Sequence, residues 1–170
     1  MSLKERLAAK KRRTVTVPVQ VTDPGPARGA YEQAERQVTL LQLAHDSGAD
    51  DGSKDRAALK RRLTTAKKAR DKALADYREH FEEVEFQAAE PDDVERILSE
   101  HLDKDGTWDD STATAPLAAL CAVDEELRDE AWWVEQLTPP TSWSQGERGR
   151  LFSALLDINV TLPPENLPKG

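Results

Sequence analysis

Three aspartates, Asp103, Asp105 and Asp109, cluster around Gly106 in the segment DKDGTWDD, and carboxylates so spaced invite a test for a hard cation. A calcium loop needs a twelve-position order of oxygen ligands closed by a glutamate. This segment has neither, so it reads as an acidic loop. The single cysteine, Cys121, lies in the apolar run PLAALCAV, where a buried thiol is inert and not a nucleophile. His45 and His80 fall at the edges of apolar helical stripes, and no Cys or acidic pair completes a metal-ligand spacing with them. No serine sits in G-x-S-x-G, and neither G-x-G-x-x-G nor a P-loop is present. The many carboxylates could supply an acid and a base for sugar hydrolysis, but their abundance does not place a pair. The expectation is a protein without catalytic, cofactor-binding or metal-binding residues, and not an enzyme.

Charge is strongly segregated beneath a net value of -8. Residues 1–13 carry six basic side chains against one acid, and residues 54–80 carry ten against four. From Glu82 to Glu135 eighteen acids face three bases. Such a layout favours intramolecular neutralisation, head-to-tail self-association or an oppositely charged partner. The basic helix, with Lys60, Arg61, Arg62, Lys67, Lys68, Arg70 and Lys72, is the best nucleic-acid candidate. These side chains spread around the helix, and most aromatic surface lies in or beyond the acidic half, which argues against a dedicated nucleic-acid binder. The basic start has no apolar run behind it, and no stretch approaches 18 apolar residues, so neither a signal peptide nor a membrane span is expected. With one cysteine and no disulfide framework, the expected compartment is reducing cytoplasm.

The elements follow from periodicity. Residues 1–27 read as a basic and extended arm: a marginal short helix with Leu3 and Leu7 on one side, then TVTVPVQV. There Val15, Val17, Val19 and Val21 share a face, and Pro18 confines the strand to an edge. Residues 28–81 predict an antiparallel helical hairpin. Tyr31, Ala34, Val38, Leu41 and His45 form one stripe; Leu59, Leu63, Ala66, Ala73, Tyr77 and Phe81 form the other, around a break at GADDGSKD. Residues 82–160 predict a compact helical domain. In it EEVEFQ alternates as a short strand, Pro91 opens a helix, DKDGTWDDSTATA is a loop, and Ser144 with Glu147 makes a capping box. Residues 161–170, which end in LPPENLPKG, are a Pro-rich tail. The fold class expected is mainly α: an N-terminal antiparallel helical hairpin followed by a small helical bundle domain with at most a short β-element.

The segments VEFQAAEPDDVERILSEHL, PLAALCAVDEEL and WSQGERGRLFSALLDIN together resemble tail assembly chaperone-like proteins of actinobacterial siphophages and prophages. The likeness runs over residues 82–159 and departs after His101, where many relatives carry prolines and this chain reads LDKDG. It implies a non-enzymatic chaperone that binds the long, helical tape measure protein, or other tail proteins, in the host cytoplasm during assembly. Two alternatives stand beside it: a structural virion protein of the tail or head–tail connector, and a DNA-associated phage regulator using the basic helix. Self-association is a further option; nucleic acid and membrane are not expected partners, and no cofactor is expected. Residues suited to partner contact are Trp132 and Trp133, which point two ways on their helix, Trp143, and Leu151, Phe152 and Leu155 in a broad apolar arc. Val17 and Val19 could add to a sheet edge.

Overall fold

The computed structural model describes residues 1–47 and 53–161. Its elements run α1 (Leu3–Ala8), β1 (Thr14–Gln20), α2 (Gly25–Asp46), α3 (Ser53–Arg78), β2 (Phe81–Gln87), α4 (Pro91–Glu100) and α5 (Asp110–Cys121). A single 3-10 turn at Glu125–Leu127 then leads to α6 (Glu130–Leu137) and α7 (Gln145–Asn159). The chain is mainly α, with seven helices among the described residues. The expected layout of hairpin first and bundle second is overturned, as is the limit of one short β-element. Two seven-residue strands pair with each other, and the helical hairpin is inserted between them.

The pairing is antiparallel: the Ala88 N–H donates to the Arg13 carbonyl at one end (2.8 Å) and the Val21 N–H to the His80 carbonyl at the other (2.9 Å). In this register Val15 stands opposite Phe86 and Val17 opposite Val84. The side they share faces apolar core, where Phe86 and Val17 are buried. Pro18 falls between the bonded positions, so its missing N–H points away from β2 and removes no rung of the ladder. Beyond the other edge of β2, an isolated bridge joins Phe86 to Ala122, and the Val123 N–H donates to the Glu85 carbonyl (3.1 Å). Phe81 begins β2 and does not extend the helical stripe expected for it; its ring meets Tyr77 edge-on at 5.1 Å.

Two compact units share these elements, one made of residues up to Val17 and from Glu83 onward, the other of Pro18–Glu82. In the second unit α2 and α3 pack antiparallel. Val38 and Leu41 interlock with Leu63 and Ala66, and Leu59 flanks them. Tyr31 stacks on Tyr77 with centroids 6.1 Å apart, and Arg70 reaches to within 4.0 Å of the Glu35 carboxylate. The break expected at GADDGSKD lies partly outside the described residues, and α3 begins at Ser53.

The first unit is organised around α5. Ala113, Ala118 and Leu117 are almost wholly buried, and the small alanines let α4, α6 and α7 approach closely. The loop expected over DKDGTWDDSTATA ends sooner than its composition suggests. Asp109 caps α5 by accepting from the Ser111 N–H (3.0 Å), and the helix runs on through Pro116. Elsewhere the local signals match: Pro91 occupies the first turn of α4, and Ser144 with Glu147 closes a capping box on α7. Of the tail expected at residues 161–170, all but Thr161 lies outside the described residues. No helix among the described residues is long and apolar enough to cross a membrane.

Phe86 joins β2 to the helices and is fully buried. Phe86→Ala is expected to lower the unfolding free energy by about 3–5 kcal/mol, read from the denaturant midpoint of the full chain. A change near zero would show that this ring does not hold the first unit together.

Candidate protein-binding groove

α4 is amphipathic at short range: Val94, Ile97 and Leu98 turn inward while Asp92, Glu95 and Arg96 stay wet. Where α4 ends at His101, the chain makes a miniature hairpin. The Asp103 N–H donates to the Thr107 carbonyl and the Asp109 N–H to the His101 carbonyl, each at 2.8 Å. These bonds bracket an isolated antiparallel bridge between Leu102 and Trp108. A pair so bracketed is the narrow, non-hydrogen-bonded kind, whose side chains stand close on one face. The turn itself depends on Gly106, held at φ 79°, and on Asp103, whose carboxylate accepts from the Asp105 N–H (2.8 Å), the Thr107 N–H (3.0 Å) and the Thr107 hydroxyl. The Thr107 hydroxyl and backbone N–H hold the Asp103 carboxyl below the usual aspartate range. Asp109 is lowered as well, by the Ser111 hydroxyl first and its N–H second. Asp103 and Asp109 thus spend their oxygens on the loop's own backbone and hydroxyl groups and on the α5 cap.

The opposite wall comes from the end of α7. Asn159 donates its side-chain N–H groups to the Leu155 carbonyl (2.8 Å) and the Cys121 sulfur (3.3 Å), and its Oδ1 accepts from the Ala89 N–H (2.9 Å). That carboxamide fixes the last turn of α7 beside the start of α4. Between them opens a groove of about 490 Å³ lined chiefly by Val94, Leu98, Leu102, Trp108 and Val160, with Pro91 and Glu95 at its rim. Leu102 is 49% exposed and Trp108 42%, so the bridge presents two adjacent apolar side chains at the mouth of the groove. Burial raises the pKa of the Cys121 thiol, against a smaller opposing effect of Asn159, so the sulfur is held as a neutral thiol.

The residues singled out for partner contact fall in other places. Trp133 is buried, with its indole N–H on the Leu127 carbonyl (2.7 Å) and its ring against Trp132, Trp143 and Phe86. Leu151, Leu155 and Val17 are also core residues, so the packing of the first unit uses their surfaces. Trp143 and Phe152 are half-buried against that core, Val19 is half-buried in β1, and Trp132 is exposed at 38%. The structure therefore gathers the three tryptophans of the α6 region but places the apolar groove elsewhere, at Leu102 and Trp108. The signal for it was present in LDKDGTW, where Leu and Trp flank an Asp-x-x-Gly turn as hairpin partners do. Asn159 gave no comparable signal, because its role exists only once three distant segments meet.

Two outcomes follow. Asn159→Ala is expected to cost about 1–3 kcal/mol by stranding the Ala89 N–H, measured by denaturation, with loss of order at Val160 in amide exchange. For Asp103, a lowered folded-state pKa stabilises the turn above the unfolded value of about 3.9. That contribution disappears as pH falls through the folded value. Acidification below about pH 4 should therefore shift the Thr107 amide and Trp108 indole NMR signals together, and Asp103→Asn should flatten that response. Independent movement of the two signals would break the link between turn and groove. No family model, no curated protein and no solved structure matches this chain.

Proposed function

We propose that this protein is a non-catalytic holder of another protein chain, receiving the apolar face of a partner helix between Leu98, Leu102, Trp108 and Val160. The observation that carries the reading is the adjacent, half-exposed Leu102 and Trp108 above a buried floor of Val94 and Leu98. A groove of this form suits a helix that presents anchors three and four residues apart. The partner in this reading is the tape measure protein of a phage tail, held during assembly. Its support is that the groove is assembled from residues 91–160, almost the same stretch that resembles the tail assembly chaperone-like proteins. A helical partner is also what such a groove would take.

Co-purification from infected or prophage-induced cells, with mass spectrometry of both complexes and mature particles, tests the reading. The tape measure protein should be recovered with this chain, and this chain should be missing from virions. Leu102→Ser and Trp108→Ala should each weaken capture about tenfold or more, as truncating a central anchor does. Stoichiometric presence in virions would instead make it a structural tail or connector protein. Undiminished capture by both variants would remove the groove from the binding surface.

A further inference from the structure

We infer that two copies of this chain pair by exchanging α1, the Leu3–Leu7 edge of each helix seating in the Leu102–Trp108 groove of the other. This shares with the functional reading only the premise that the groove accepts an apolar helix face. The first observation is that α1 is a formed helix whose leucines are left uncovered by the described residues. Ser2 and Glu5 close a capping box, the Ser2 N–H donating to the Glu5 carboxylate (2.6 Å) and the Glu5 N–H to the Ser2 hydroxyl (3.2 Å). Yet α1 buries no residue, and Leu3 and Leu7, four positions apart on one side, are each 64% exposed. A helix of six residues is marginal in water unless its apolar side is covered.

Charge indicates the cover. Six of the first thirteen residues are basic and one is acidic. The groove rim carries Glu95, with Asp92 one turn earlier on α4, within the stretch where eighteen acids meet three bases. The net-basic segment that carries the two leucines and an apolar slot lined by Glu95 are complementary in both sign and surface.

Tethering decides between a chain's own groove and that of a second copy. Arg12 pairs with Glu90, and Arg13 donates to the Thr161 carbonyl at 2.6 Å. Glu90 and Thr161 directly adjoin Pro91 and Val160, so α1 springs from the rim of its own groove. Ala9 and Lys10 are bonded back onto the helix, to the Glu5 carbonyl (3.0 Å) and the Leu7 carbonyl (3.2 Å). Only the short link from Lys10 to Arg13 remains before β1, and at that reach Leu3 and Leu7 stand clear of their own groove, exposed and outside its lining. Two grooves brought face to face have no such difficulty. Each arm crosses to the other copy, and reciprocal exchange closes on a twofold axis instead of growing an open chain.

Sedimentation equilibrium of the full chain over about a hundredfold range of concentration tests the exchange, because self-association is concentration-dependent. The wild-type mass should rise from one copy toward two, and added salt should weaken the pairing. Leu7→Glu and Leu102→Glu should each remain monomeric, with circular dichroism confirming that the fold persists. Mixed together, the two variants should regain mass, because each supplies the surface that the other lacks. Wild type monomeric at every concentration, or Leu7→Glu pairing as well as wild type, would overturn the exchange. So would a monomeric wild type whose melting temperature falls with Leu7→Glu, since that places α1 in its own groove. A wild-type monomer that still captures the tape measure protein sinks the exchange alone; a wild-type dimer whose Leu7→Glu monomer, its groove left open, captures nothing sinks the functional reading alone.

Discussion

The geometry of the first unit depends on the carboxamide of Asn159. An amide taken out of water costs free energy unless its oxygen and nitrogen find partners. Here the partners come from three separate stretches: the Ala89 backbone before α4, the Cys121 sulfur at the end of α5, and the Leu155 carbonyl one turn back on α7. Apolar packing brings α4, α5 and α7 together, but it fixes neither their rotation nor their stagger. The two directional bonds that leave α7, to Ala89 and to Cys121, do, while the bond to Leu155 holds the carboxamide itself in place. Val160 can serve as a groove wall because its neighbour is pinned, and the Arg13 guanidinium on the Thr161 carbonyl holds the next link of the chain.

Local chemistry was the legible part of this sequence. A proline preceding two aspartates, a serine three residues before a glutamate, and a Val–Glu–Phe alternation each specify a conformation within a few residues, and α4, α7 and β2 form where those signals stand. Val38, Leu41 and Leu63 likewise declared the α2–α3 seam by their spacing alone. The start of α5 was not legible, because Asp, Ser and Thr compete for backbone bonds in isolation and Pro116 lacks a donor. Burial of the alanine face overrides that local preference. Pairing of β1 with β2 was hidden for another reason: neither strand carries a mark of its partner, and some sixty residues of helical hairpin intervene.

The candidate groove shows the same division. Its turn chemistry, Asp103 and Gly106, was visible as residues but suggested a cation before it suggested a hairpin. The oxygens of Asp103 are engaged by the turn's own N–H and hydroxyl groups, and what they hold in place is apolar. A carboxylate cluster and a hydrophobic surface are thus one construction: the acids shape the backbone, and the backbone presents Leu102 beside Trp108. Tryptophan clustering pointed elsewhere because aromatic count cannot separate Trp133, with its ring enclosed and its N–H on the Leu127 carbonyl, from a residue that faces solvent.

The insertion of α2 and α3 between paired strands has a consequence for how the chain tolerates change. Both ends of the inserted piece leave from one antiparallel ribbon, at Val21 and His80, which are already hydrogen-bonded to each other. Such a doorway accepts inserts of almost any length, because the closure entropy grows only slowly with the number of residues spanned. The ribbon is therefore a graft point, at which a tight two-residue turn could replace the whole hairpin, or a foreign module could take its place, without altering the register that seats Phe86.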